Sequence, residues 1–129
     1  MTLSRERLER VAWSCVHFTA ELGDAEAGGA GTVVREVDAS HLHKKEELLS
    51  AVAGALEFPG YFGGNWDALD ECLRDLSWLP APGYALVVRD AEHLWRDHAR
   101  LAGGLVEAWL GAAEGWTARE TPFHLVFVW

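Results

Sequence analysis

Two stretches of this chain, Tyr84-Ala-Leu-Val-Val88 and Phe123-His-Leu-Val-Phe-Val128, are apolar at nearly every position rather than at every second one. A strand with one wet face alternates, whereas a strand apolar throughout must be covered on both faces, as in a parallel sheet held between layers. A third run, Thr32-Val-Val-Arg-Glu-Val37, is rich in β-branched residues, and Asp38-Ala-Ser40 behind it offers the oxygens that turns and helix starts use. The intervening segments have helical spacing. Leu48, Leu49, Val52, Ala55 and Leu56 recur between Lys44 and Leu56 until Pro59-Gly60 stops them. Asn65 is suited to cap the next helix, where Trp66, Leu69, Cys72, Leu73 and Leu76 fall three and four apart before Pro80. Leu94, His98, Leu101, Leu105, Trp109 and Ala112 trace a last buried stripe, which Gly103-Gly104 is expected to divide into two helices. Strands separated by helices favour parallel pairing through right-handed crossovers. The expected fold is therefore α/β, with three parallel core strands and helices packed on the sheet.

Residues 1–31 read as an extension ahead of the main domain, 32–129. The extension has a charged, helical start, then Ala12-Trp-Ser-Cys-Val-His-Phe-Thr19, which alternates as an edge strand does, then a glycine-rich loop from Gly23 to Gly31. Seven tryptophans and five phenylalanines supply enough buried surface for the core to dispense with staples. Cys15 and Cys72 stand far apart with no CxxC pair, and read as buried free thiols in a reducing compartment. The charged N-terminus lacks the apolar stretch of a secretory signal, and no apolar run approaches the ~18 residues that cross a bilayer. The expectation is a cytoplasmic monomer with no membrane partner.

The chain carries 20 acidic and 11 basic residues, a net charge of −9, which opposes direct nucleic-acid binding and favours a cationic partner. Between Phe58 and Trp78, Asp67, Asp70, Glu71 and Asp75 accompany one base, Arg74, a local net charge of −3. At helical spacing these four carboxylates project away from the apolar stripe. Carboxylates on the wet face of an amphipathic helix are ordinary. Here, however, Asp67 with Glu71 and Glu71 with Asp75 are like charges at i, i+4, each costing a helix roughly 0.2–0.5 kcal/mol. Tyr61 and Phe62 stand directly before the helix on a loop flanked by glycines, where large rings either pack as a hydrophobic staple or bind a partner.

Enzyme chemistry finds little support. One ridge of carboxylates does not make a cleft, and there is no GxSxG, no Walker loop and no GxGxxG after a strand. Gly28-Gly-Ala-Gly31 precedes a strand, the wrong order for cradling phosphate. His41 and His43 share one side of an extended segment but lack a third ligand, and a metal-assisted hydrolase would need one. His93 and His98, five apart, lie about 140° round a helix and cannot chelate from one face. His98 and His124 are expected in or beside the core with satisfied nitrogens. No metal and no cofactor are expected.

The run Phe58-Pro-Gly-Tyr-Phe-Gly-Gly-Asn-Trp-Asp-Ala-Leu69, followed by Asp70-Glu-Cys-Leu73, resembles the signature of barstar-type ribonuclease inhibitors. That resemblance implies a three-stranded parallel α/β fold from Thr32 onward. It also implies that the second helix and its preceding loop plug the active site of a basic, secreted, guanyl-type ribonuclease, the carboxylates standing where substrate phosphates would. The implied contact surface is Tyr61, Phe62, Gly63, Asn65, Asp67, Asp70, Glu71, Asp75 and Trp78. Tyr61, Asp67 and Glu71 match the family's contact positions, with Glu71 where the archetype has aspartate and Asp70 where it has tryptophan. The family's further acidic contact falls near Leu110, so that part of the interface is absent or moved to Glu107 or Glu114. The other reading left open is an interaction module of the same fold that binds a different basic protein or toxin.

Overall fold

The computed structural model describes residues 5–11, 15–22, 31–60 and 62–129. In chain order they form α1 (Arg5–Leu8), β1 (Val16–Thr19), β2 (Val33–Asp38), a 3₁₀ turn (Ala39–His41), α2 (Lys45–Ala55), α3 (Trp66–Asp75), β3 (Tyr84–Arg89), α4 (Ala91–Asp97), α5 (Ala99–Ala118) and β4 (Phe123–Val128). The sheet is parallel throughout, in the order β1-β4-β3-β2. It has four strands rather than three. The two runs apolar at almost every position are the two central strands, as two-sided burial demands. The fourth strand comes from the N-terminal extension: Leu125 donates its N–H to the Cys15 carbonyl at 2.9 Å and Trp129 donates to Thr19 at 3.0 Å. Positions 12–14 of the expected edge strand lie outside the described residues.

Alternate side chains of the central strands enter two cores. Tyr84, Leu86, Val88, Phe123, Leu125 and Phe127 join the helices in the larger one. There α5 docks through Trp109, whose ring stacks on Phe123 at 4.1 Å, and through Trp116, whose ring meets Tyr84 at 5.1 Å. Ala85, Val87, Val126 and Val128 face the other way and are covered by Leu8 and Leu22 of the extension, with Val34 at the margin. Cys15 and Cys72 are both buried and unpaired. No helix among the described residues is long and apolar enough to cross a membrane.

Two expectations about α4 and α5 are overturned. Gly103 and Gly104 lie within an unbroken α5; the division falls at His98, between α4 and α5, where φ of −137° and ψ of 48° leave the helical region. Neither glycine nor proline marks that point. The break swings the His98 ring back toward α4, so that the rings of His93 and His98 meet edge-on at 5.4 Å, with His43 at 5.0 Å from the first and 5.6 Å from the second. His98 is half-buried beside other imidazoles, and His93 and His98, expected on different faces of one helix, stand together.

His124 behaves as expected. It is buried, its Nε2 meets the Arg10 carbonyl at 2.7 Å, and its Nδ1 lies 2.9 Å from Nε2 of the buried His17. The carbonyl only accepts, so His124 donates from Nε2 and accepts at Nδ1, and His17 is the donor of the pair. A proton added to His124 Nδ1 would set two N–H groups against each other. Burial, then His124, then Arg7 push His17 down to about 4, and burial lowers His124 as well. The unfolded chain therefore binds more protons than the folded one between about pH 4 and the ordinary histidine value near 6.5. Stability contributed by this pair is complete above that window and is lost as pH falls through it, on the order of 2 kcal/mol after discounting for solvent screening. Urea unfolding across this range should show a rising stability that is markedly flatter in a His17→Gln/His124→Gln variant; identical slopes would refute a pair held neutral.

Candidate functional site

Helix α3 begins where Asn65 Oδ1 accepts from the Ala68 N–H at 2.8 Å, the cap anticipated from sequence. It ends at Leu76, a fully buried leucine held in the left-handed region at φ of 49° whose N–H donates to Cys72. Its stripe residues Leu69, Leu73 and Leu76 pack into the larger core, with Trp66 half-buried at its margin, and Cys72 is buried beside them in sequence. Three devices fix its rotation against α5. The Trp116 indole donates to the Leu73 carbonyl at 2.7 Å, the Arg119 guanidinium donates to the Arg74 carbonyl at 3.0 Å while lying 4.2 Å over the Trp116 ring, and the Trp66 ring lies directly on Gly104.

The carboxylates separate into two groups. Asp70 turns toward α5 and pairs with Arg74, Nε to Oδ2 at 3.0 Å, with Gly111 beside both. It is therefore a neutralised flank and not one of four free acids. Asp67, Glu71 and Asp75 stand at i, i+4 and i+8, all exposed, and among the described residues no cation pairs with them. Asp67 gains from the helix N-terminus, but Asp75 sits at the C-terminal end, where the macrodipole disfavours an anion. It accepts only from the Ser77 N–H at 3.3 Å. The line of charge is felt underneath: burial first, then Asp75 and Glu71, push the Cys72 thiol up.

The loop rings are propped rather than free. Phe62 is half-buried against Phe58, ring centres 5.1 Å apart, and Phe58 meets Trp78 at 5.8 Å. The Trp78 indole donates to the Leu56 carbonyl at 3.0 Å and the Phe62 N–H to Pro59 at 3.0 Å. Phe62 is thus packed on the preceding turn instead of stapling onto α3. Gly63 and Asn65 are exposed at the loop tip, and Tyr61 lies outside the described residues.

The family model of Barstar (barnase inhibitor) matches residues 32–128, three-quarters of the chain, spanning β2 to β4 and α2 to α5. The chain belongs to the barstar family. A search of the curated proteins found no match.

In this barstar-family protein a groove of about 520 Å³ runs between α3 and α5, lined by Trp66, Asp70, Arg74, Arg100, Glu107 and Gly111 among others. Glu107 stands in that groove, next to the acidic helix. Leu110 is 43 % exposed on the adjoining face, and Glu114, also exposed, is close enough to act on Arg74. Sequence reading singled out Glu107 and Glu114 but missed Arg100. The available signal was Gly104 and Gly111, seven apart on one side of α5, which leave room for side chains from α3. The only grouping of metal-ligating side chains among the described residues, His43, His93 and His98, lies elsewhere.

Gly104 carries a direct test of how α3 is seated. A Cβ there would stand 2.7 Å from the Trp66 ring, whereas a Cβ on Gly103 meets nothing within 4 Å. Gly104→Ala should destabilise by about 1–3 kcal/mol, because a rigid indole must move. Gly103→Ala should stabilise by about 0.5–1 kcal/mol through helix entropy alone. Equal effects in urea unfolding would contradict the Trp66 contact.

Proposed function

We propose that this protein inhibits a basic, guanyl-type ribonuclease by laying the Asp67-Glu71-Asp75 edge of α3, and the loop before it, into the enzyme's substrate cleft. The observation that carries the reading is the line of three exposed carboxylates with no cation of their own, on a helix whose rotation is fixed by α5. Such a line works against the helix that bears it, and is accounted for by an external cationic partner. An enzyme that cleaves RNA must concentrate positive charge in its cleft, and membership of the barstar family supports that class of target.

In this reading the inhibitory domain is 32–129, preceded by the 1–31 extension, and it acts in the cytoplasm as a monomer, with no cofactor taking part in the inhibitory contact and no catalysis of its own. Asp67 and Glu71 are the central contacts. Phe62 and Trp78 support the loop and expose only part of their surfaces, while Gly63 and Asn65 let the enzyme approach closely; Tyr61, which precedes Phe62 in the sequence, is a further contact in this reading. Asp70, already paired, contributes through Arg74 at the flank. Glu107 supplies the α5 carboxylate, because it shares the groove with Trp66 and Asp70. The exposed Leu110, standing where the family's acidic contact falls, favours a target whose surface differs there from that of the archetypal ribonuclease.

Asp67→Ala and Glu71→Ala should each weaken binding to a barnase-type ribonuclease by about ten- to hundredfold, the worth of a hydrogen bond to a charged group. Asp70→Asn should change it little, and all three should unfold within about 0.5 kcal/mol of the parent. Association of the parent should slow as salt is raised past about 0.1 M, where the Debye length falls to about 10 Å. Ridge variants with parental affinity, or a salt-independent association rate, would move the interface off α3.

A further inference from the structure

We propose that His43, His93 and His98 form a zinc site, with Asp97 as the group that orients one of its ligands. The three come from separate elements: His43 from the loop ahead of α2, His93 from α4, and His98 from the break between α4 and α5. One ring nitrogen of each lies within 4.8 Å of one from each of the others. In a tetrahedral zinc site with Zn–N bonds of about 2.0–2.1 Å, ligand nitrogens stand roughly 3.3 Å apart. Each imidazole therefore needs to move by less than about 1 Å, within reach of side-chain torsion for one exposed and two half-buried histidines.

Two further observations point to a ligand. His93 Nδ1 lies 3.1 Å from Asp97 Oδ2. The carboxylate accepts the Nδ1 proton and leaves the Nε2 lone pair available, the arrangement that orients and strengthens a metal-bound imidazole. That Nε2 is buried and has no hydrogen-bond partner among the described residues. An orphaned buried nitrogen is costly in a folded protein, and a metal ion accounts for it. The set is imidazole with no thiolate, which suits Zn²⁺, and three protein ligands leave a fourth position to solvent. Lys44, Lys45, Arg96 and Arg100 line a separate groove together with His43, His98 and Asp97, so the electrostatic surroundings oppose a cation and the imidazoles must supply the affinity themselves.

A zinc ion here would tie the loop ahead of α2 to the α4–α5 junction, a clasp on the side of α5 that begins at Ala99. Its ligands include none of the ridge carboxylates, so the site stands or falls independently of ribonuclease binding. The test is calorimetric titration of Zn²⁺ into the metal-free, full-length protein, with Co²⁺ titrated in parallel for the visible bands of tetrahedral cobalt. One equivalent should bind, and the thermal midpoint should rise and return on chelation. His43→Ala and His98→Ala should each weaken binding at least tenfold, and Asp97→Asn by about ten- to hundredfold. His41→Ala, two residues from His43, should bind as the parent does. Circular dichroism keeps loss of fold distinct from loss of ligand. Binding by the His43→Ala/His93→Ala/His98→Ala variant equal to that of the parent, or an octahedral cobalt spectrum, would overturn the site.

Discussion

The structure depends on β3 and β4 being buried on both faces. Hydrogen bonding alone would be satisfied by any pair of strands; the apolar side chains of these two, alternating into two separate cores, require a layer on each side. The helices between the strands supply one layer. The other comes from the N-terminal extension, through Leu8 and Leu22, and through His17, which meets His124 of β4 in a neutral pair. The extension is therefore part of the sheet's construction, although it lies outside the span matched to the family. A histidine pair on that second face makes the layer sensitive to acid in a way that an all-apolar layer would not be.

The same sheet determines what α3 can present. Helix α5 is held on the sheet by Trp109 and Trp116, and α3 is held on α5 by Trp116, Arg119 and the Trp66–Gly104 contact. With its rotation set from beneath, α3 has no freedom to turn its acids inward or to find cations for them. Asp70 and Arg74 neutralise each other at the α5 side, leaving Asp67, Glu71 and Asp75 as a narrow line of unopposed charge. That pattern costs local stability, which the proposed reading recovers on binding a cationic partner.

Much of this was legible in the sequence, because periodicity carries it. Continuous apolar runs marked the central strands, three-four spacing marked α2 and α3, and Asn65 marked a helix start. What escaped were features decided by contacts between elements. The break at His98 has no glycine or proline to announce it, while Gly103-Gly104, which looked like a break, is helical because Gly104 answers to the Trp66 ring rather than to backbone need. Treating α4 and α5 as one helix put His93 and His98 on different faces and hid their meeting with His43. The four acids were read as one ridge, although Arg74 stands at i+4 from Asp70 alone and pairs with it, and the approach of α5 then places that pair at the flank. Phe62 and Trp78 were seen as contact residues, but not that Phe58 and the Leu56 carbonyl hold them.

The most direct test of the central claim is titration of this protein into a barnase-type ribonuclease while RNA cleavage is followed, with an Asp67→Ala/Glu71→Ala double variant alongside. The account predicts that cleavage falls linearly to zero at one equivalent of the parent and persists at one equivalent of the variant. Full cleavage in the presence of excess parent, or equal inhibition by both proteins, would contradict it.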